Sequence, residues 1–63
     1  MGSEEIKRVL SIIAPFEGMR IEKHNKLARA KKAGVSDEQR KWLIENGFLK
    51  KSLNLTDKGR AAL

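Results

Sequence analysis

The sequence predicts a mainly α-helical fold with a small β-hairpin: a three-helix core, a short extended pair and a short C-terminal helix. Three observations predict it. Ile6, Val9, Leu10 and Ile13 recur at the i, i+3, i+4, i+7 spacing of one helical stripe. Ser36-Asp37-Glu38-Gln39 is a capping box that opens a second apolar run. Leu53 and Leu55 alternate with polar neighbours ahead of Thr56-Asp57, the pattern of an inward-facing strand followed by a helix cap. A chain of 63 residues holds one domain, residues 1–63. Such a chain buries only ~60% of its unfolded surface, so its core supplies ~3–5 kcal/mol.

The first helix is expected to start at Ser3 as N-cap, with Glu4 and Glu5 placed where the helix dipole favours negative charge. Pro15 ends it, and Phe16-Glu17-Gly18 forms a turn with one aromatic anchor. Met19-Arg20-Ile21 reads as a short extended piece able to pair as a strand. From Glu22 to Ala33 the residues favour helix, and His24, Leu27, Ala28 and Lys31 share one side. Gly34 terminates that helix. The third helix runs from the capping box through Trp42, Leu43 and Ile44 to an Asn46-Gly47 left-handed cap, with Trp42 read as core. Phe48, Leu53 and Leu55 then suggest a short hairpin or single strand, and Lys58 to Leu63 a final helical turn or two.

Composition narrows the chemistry. There is no cysteine, one histidine and no tyrosine, which excludes disulfides, thiolate metal sites and most zinc or histidine-based catalytic arrangements. No Gly-rich phosphate loop, Gly-x-Ser-x-Gly or His-Glu-x-x-His is present. The expectation is a non-enzymatic protein with no cofactor, no metal, no catalytic residue and no small-molecule ligand. The longest apolar stretch, Val9 to Phe16, is far short of the ~20 residues of a membrane span, so the expected location is the cytoplasm.

The formal net charge is +6, and it is unevenly spread. Residues 1–19 carry −1, residues 20–32 carry +5, residues 33–49 carry −1 and residues 50–63 carry +3. A basic segment so concentrated is the electrostatic footprint of a polyanion binder.

Three stretches carry a family resemblance: Leu27 to Ser36 (LARAKKAGVS), Trp42 to Lys50 (WLIENGFLK) and, most specifically, Leu53 to Leu63 (LNLTDKGRAAL). Together they resemble the second helix and turn, third helix and first wing strand, and second wing strand and following helix of winged helix-turn-helix DNA-binding domains of bacterial, archaeal and phage type. In helix-turn-helix proteins an alanine usually stands four residues before the turn glycine. Ala30 has that spacing to Gly34, whereas the Leu27-Ala28 pair fits the helix face better, so two registers stand. In the third motif, Gly59 lets the last helix approach the sheet without a β-carbon in the way.

The resemblance implies a small transcriptional regulator or an architectural or recombination factor, nucleoid-associated if bacterial or archaeal, with double-stranded DNA as partner. Arg20, Lys23, Lys26, Arg29, Lys31 and Lys32 are then the phosphate contacts, joined by Lys50 and Lys51 of the wing. Gln39, Arg40 and Lys41 are the residues of the third helix equipped to meet base edges, and Arg40 is alternatively placed for a helix–helix salt bridge. A homodimer through the first or last helix also fits the small core. The competing reading is a protein-interaction module, a small inhibitor or adaptor docking through the third helix. With Leu43 inward, the outer face of that helix carries Asp37, Glu38 and Glu45 beside Lys41, and acids repel phosphate. RNA binding through the same basic segment ranks last, because the exposed aromatic pairs that stack on single strands are missing.

Overall fold

A computed structural model describes all of residues 1–63. The chain forms four α-helices: α1 (Ser3–Ile13), α2 (Lys23–Lys32), α3 (Asp37–Glu45) and α4 (Asp57–Ala61), with a 3-10 helix, Ala14–Gly18, continuing α1. It measures 27 × 21 × 17 Å along its principal axes. No helix is long and apolar enough to cross a membrane.

The apolar stripe of α1 is buried as its spacing predicts, with Ile6, Val9, Leu10 and Ile13 all in the core. Gly2, not Ser3, is the N-cap: Ser3 already has helical geometry and no side chain caps the helix. Ala14 still donates to the Leu10 carbonyl, but Pro15 has no N–H to continue the ladder, and the chain tightens into the 3-10 helix. Met19-Arg20-Ile21 pairs with nothing and is a connector rather than a strand.

Two Schellman closures set the angles between helices. At the end of α2 Gly34 adopts φ +103°, its N–H donates to the Lys31 carbonyl at 3.0 Å, and the Val35 N–H donates to the Ala30 carbonyl at 2.9 Å. Val35 is thereby turned into the core. At the end of α3 Gly47 adopts φ +79° and Phe48 donates to Leu43 at 2.9 Å. The core thus gathers α1, Ala30 of α2, Val35, Leu43 of α3, Leu49 and Leu55.

The phase of α2 differs from expectation. Ala30 is buried and Lys26 and Leu27 are half-buried, while His24, Ala28 and Lys31 are exposed. The register with Ala30 inward, four residues before Gly34, is the one the fold adopts, because the Schellman turn pulls Ala30 and Val35 to the same side.

The expected β-hairpin, and with it the wing, does not form. A single antiparallel bridge joins Leu49 to Leu55, and there is no sheet. The extended residues lie on either side of a tight loop, in which Lys50 donates to Asn54 at 2.9 Å and Leu53 to Lys50 at 2.9 Å. Leu53 has φ +70°, a left-handed conformation that no strand accommodates. It is nonetheless buried, so the chain accepts an unfavourable backbone conformation to bring a leucine inside. Alternating Leu53 and Leu55 therefore both face inward as read, but from a turn.

The C-terminal signal holds. The Thr56 hydroxyl accepts from the Gly59 N–H at 3.0 Å and caps α4, and it donates to the Gly47 carbonyl. Gly59 is buried against the Phe48 backbone rather than a sheet, where a β-carbon would lie 2.2 Å from the Phe48 carbonyl oxygen.

Candidate nucleic-acid interface

The α2–turn–α3 unit positions most of the basic side chains. The helix α2 begins without a capping side chain and without an acidic residue in its first turn, and Arg29, Lys31 and Lys32 crowd its last turn. Cations there suit the negative end of the helix dipole, which makes the C-terminal half of α2 locally stable despite its charge density. Then α3 opens on a complete capping box: Gln39 N–H donates to Ser36 Oγ at 3.1 Å, and Ser36 N–H donates to Gln39 Oε1 at 2.9 Å.

The structure separates the sequence-predicted residues into groups. Arg20 and Arg29 lie round a hollow on one flank of α2, with Ile21, Glu22, Asn25 and Ala28. Lys23 shares a second concavity with Arg40, Lys41, Ile44, Glu45 and Lys51. Lys31 crosses the helix–helix junction to Asp37 at 3.3 Å, and Arg40 approaches the other Asp37 oxygen at 3.9 Å. Lys32 is exposed, Lys26 is half-buried, and Lys50 lies beside Glu17, whose carboxylate its charge helps to stabilise. Gln39 is half-buried with its carbonyl oxygen engaged in the capping box.

Ion pairing decides which cations remain available. Of the six in segment 20–32 only Lys31 is paired with a carboxylate; Lys41, Lys50 and Lys51 are also free. Asp37 is flanked by two cations, which removes much of the acidic character from that flank of α3. Glu38 lies on the opposite flank, with Trp42, Gln39, Ser36, Met1 and Glu5. The acids of α3 are thus divided between two surfaces. Trp42 is half-buried: it packs on the core and stacks on Phe48, with ring centroids 6.0 Å apart and planes 13° from parallel. The Lys58 ammonium sits 4.5 Å above the Phe48 ring.

Sequence reasoning missed two participants, Ile44 and Glu17, and read Glu45 only as an acid on the outer face of α3. Ile44 and Glu45 line the Lys23–Lys51 concavity; Ile44 lies one turn beyond Arg40, so the i+4 relation was the available signal. Glu17 was read as part of a turn, yet its Oε1 accepts from the Leu55 N–H at 2.6 Å and its Oε2 is 3.3 Å from Arg60. The Leu55 hydrogen bond, more than the nearby Arg60 guanidinium, holds its carboxyl below the usual carboxylate range. No local sequence signal announces a contact 38 residues apart.

Comparison with protein-family models, curated proteins and solved structures gave no match to this chain.

Proposed function

We propose that this chain is a small non-enzymatic DNA-binding module whose α2–turn–α3 unit acts as a helix-turn-helix without a wing. The uncompensated charge of α2 and its approach is what supports the reading: Arg20, Lys23, Lys26, Arg29 and Lys32 have no carboxylate partner. Such a surface gains free energy on a polyanion by releasing its condensed counterions. The turn geometry adds to it, with Ala30 buried and Gly34 left-handed at the spacing that helix-turn-helix proteins share. In this reading Arg20, Arg29 and Lys32 contact phosphates, and Arg40 and Lys41 are the side chains of α3 offered to the duplex. Gln39 serves α3 as its cap and contributes less to base contact. Regulation of transcription or organisation of a DNA complex is the role that a module of this size fits.

The test is a charge swap on exposed positions. Arg29→Glu with Lys32→Glu reverses two charges in the last turn of α2 and shifts the net charge by −4. The expected result is loss of duplex binding at 100 mM salt with the far-UV circular dichroism unchanged. Undiminished binding refutes the assignment.

A second reading has one observation in its favour. Half-buried Trp42 borders Glu5 and Glu38 on the face away from the α2 cations, a surface that suits a protein partner. Glu38→Lys with Glu5→Lys discriminates: it abolishes docking on that face and strengthens binding to DNA.

A further inference from the structure

We propose that the concavity between the start of α2, one flank of α3 and the turn after Leu49 is a phosphate-binding site. On DNA it takes a single backbone phosphodiester, and for that source of phosphate the inference rests on the reading above. Lys23, Arg40, Lys41 and Lys51 line a hollow of about 350 Å³, with Ile44 its apolar residue and Glu45 its single carboxylate. The lining carries a formal charge of +3. Its cations come from three separate segments of the chain, so the fold, not sequence adjacency, brings them together.

Two features point to an anion as the ligand. Lys23, Lys41 and Lys51 make no ion pair, although Glu45 is among them. Like charges gathered in one concavity repel, and an anion placed among them reverses the sign of every one of those terms. Arg40 is three-quarters buried, its one ion pair is the 3.9 Å approach to Asp37, and its Nε is buried with no acceptor. Arg40 is part of the lining, and a planar guanidinium offers an anion fixed, charge-assisted donors.

Phosphate matches this set better than carboxylate. The two oxygens of a carboxylate lie in one plane, whereas the oxygens of a phosphate group, two of them charge-bearing in a backbone phosphodiester, spread tetrahedrally, which suits one guanidinium and three ammoniums arriving from three sides. The hollow is open, so a phosphate attached to a duplex can enter without the protein rearranging. Ile44 contributes apolar surface that limits water at one side and strengthens the electrostatic contacts beside it.

The experiment is a ¹⁵N-resolved NMR titration of the whole chain with inorganic phosphate at constant ionic strength, chloride serving as the control, and a parallel titration with a short duplex. The expected result is saturable shifts at Lys41, Ile44, Glu45 and Lys51 in phosphate alone. Lys41→Gln and Lys51→Gln, both exposed, each weaken phosphate binding about 3- to 10-fold. Glu45→Gln tightens it, a sign that a purely structural role for these residues does not produce. On the duplex, each lysine substitution lowers the salt slope by about 0.9.

Non-saturating shifts spread equally over Arg20, Arg29 and the hollow overturn the site, as does weaker binding by Glu45→Gln. Duplex binding with an unchanged salt slope in both lysine variants also overturns it and leaves the DNA reading intact. Phosphate held at the hollow by a chain that ignores duplex DNA sustains the site and removes the DNA reading. As an independent readout, phosphate at ten times its dissociation constant raises Tm by roughly 6–10 °C; no rise beyond that in chloride contradicts the proposal.

Discussion

Replacing Gly59 by alanine is the perturbation whose consequence follows most directly from the packing. A β-carbon at this position lies 2.2 Å from the Phe48 carbonyl oxygen, 3.2 Å from the Phe48 carbonyl carbon and 3.4 Å from the Leu55 β-carbon. The obstacle is backbone rather than a flexible side-chain tip. Phe48 is itself fixed at both ends, donating to Leu43 at 2.9 Å and accepting from Thr56 at 3.1 Å. Moving α4 away loosens the Thr56 cap and the lid over Leu55. Overpacking of this kind costs about 1–3 kcal/mol, and a weakened hydrogen bond adds about 1 kcal/mol. The helix-propensity gain of alanine over glycine, at most about 1 kcal/mol, opposes it. The balance is destabilisation of roughly 2 kcal/mol, a large share of what a core this small supplies. Thermal unfolding followed by circular dichroism should show Tm lowered by about 8–16 °C. Gly18→Ala is the matched control, since its β-carbon meets nothing within 4 Å and its φ is ordinary; its Tm should be unchanged or slightly raised. A Gly59→Ala protein as stable as the parent refutes the close approach of α4 to Phe48.

Other expectations test the remaining links. Glu17→Ala leaves the buried Leu55 N–H without its acceptor and should cost about 1–2 kcal/mol at pH 7 by urea denaturation. Because the folded-state pKa of Glu17 is lowered from 4.5, that contribution is present above pH 4.5 and disappears as pH falls through the lowered value. The parent and the variant should therefore converge in strong acid, and a gap that persists there rules out the carboxylate as its cause. Ser36→Ala removes one half of the capping box and should destabilise the fold by about 1 kcal/mol in the same assay, with loss of helix signal. Asp37→Asn frees Lys31 and Arg40 together and should strengthen duplex binding in a fluorescence assay while changing stability little, since exposed ion pairs contribute ~0–1 kcal/mol. Unchanged binding by this variant would place the Lys31–Asp37 flank outside the interface, and weaker binding would contradict the role given to its cations.

Legibility in the sequence followed the range of the interactions. Helix positions, the Ser36–Gln39 box, both left-handed glycines and the Thr56 cap were readable because each is decided by residues within about four positions. The phase of α2 was not, since a ten-residue helix with few apolar residues has no dominant stripe; Val35 and the turn decide that Ala30 is the residue buried. The hairpin failed for a related reason. Leu53 and Leu55 show strand alternation, but the loop between Leu49 and Leu55 is too short for paired strands once Leu53 turns inward at positive φ. The basic candidates were visible as composition, whereas their division into an α2 flank, an Asp37-neutralised junction and the Lys23–Lys51 hollow depends on how the helices pack. Glu17 lay beyond reach altogether, because both of its partners are more than thirty residues away.

The central claim is that free cations on α2 and around α3 bind the phosphate backbone of duplex DNA. Fluorescence anisotropy with a labelled random duplex between 50 and 300 mM salt tests it most directly. Binding through about five phosphates predicts log K falling linearly with log salt at a slope of about −4 to −6. No binding at 50 mM salt, or a flat salt dependence, contradicts the account and leaves the Trp42 face as the surface to pursue.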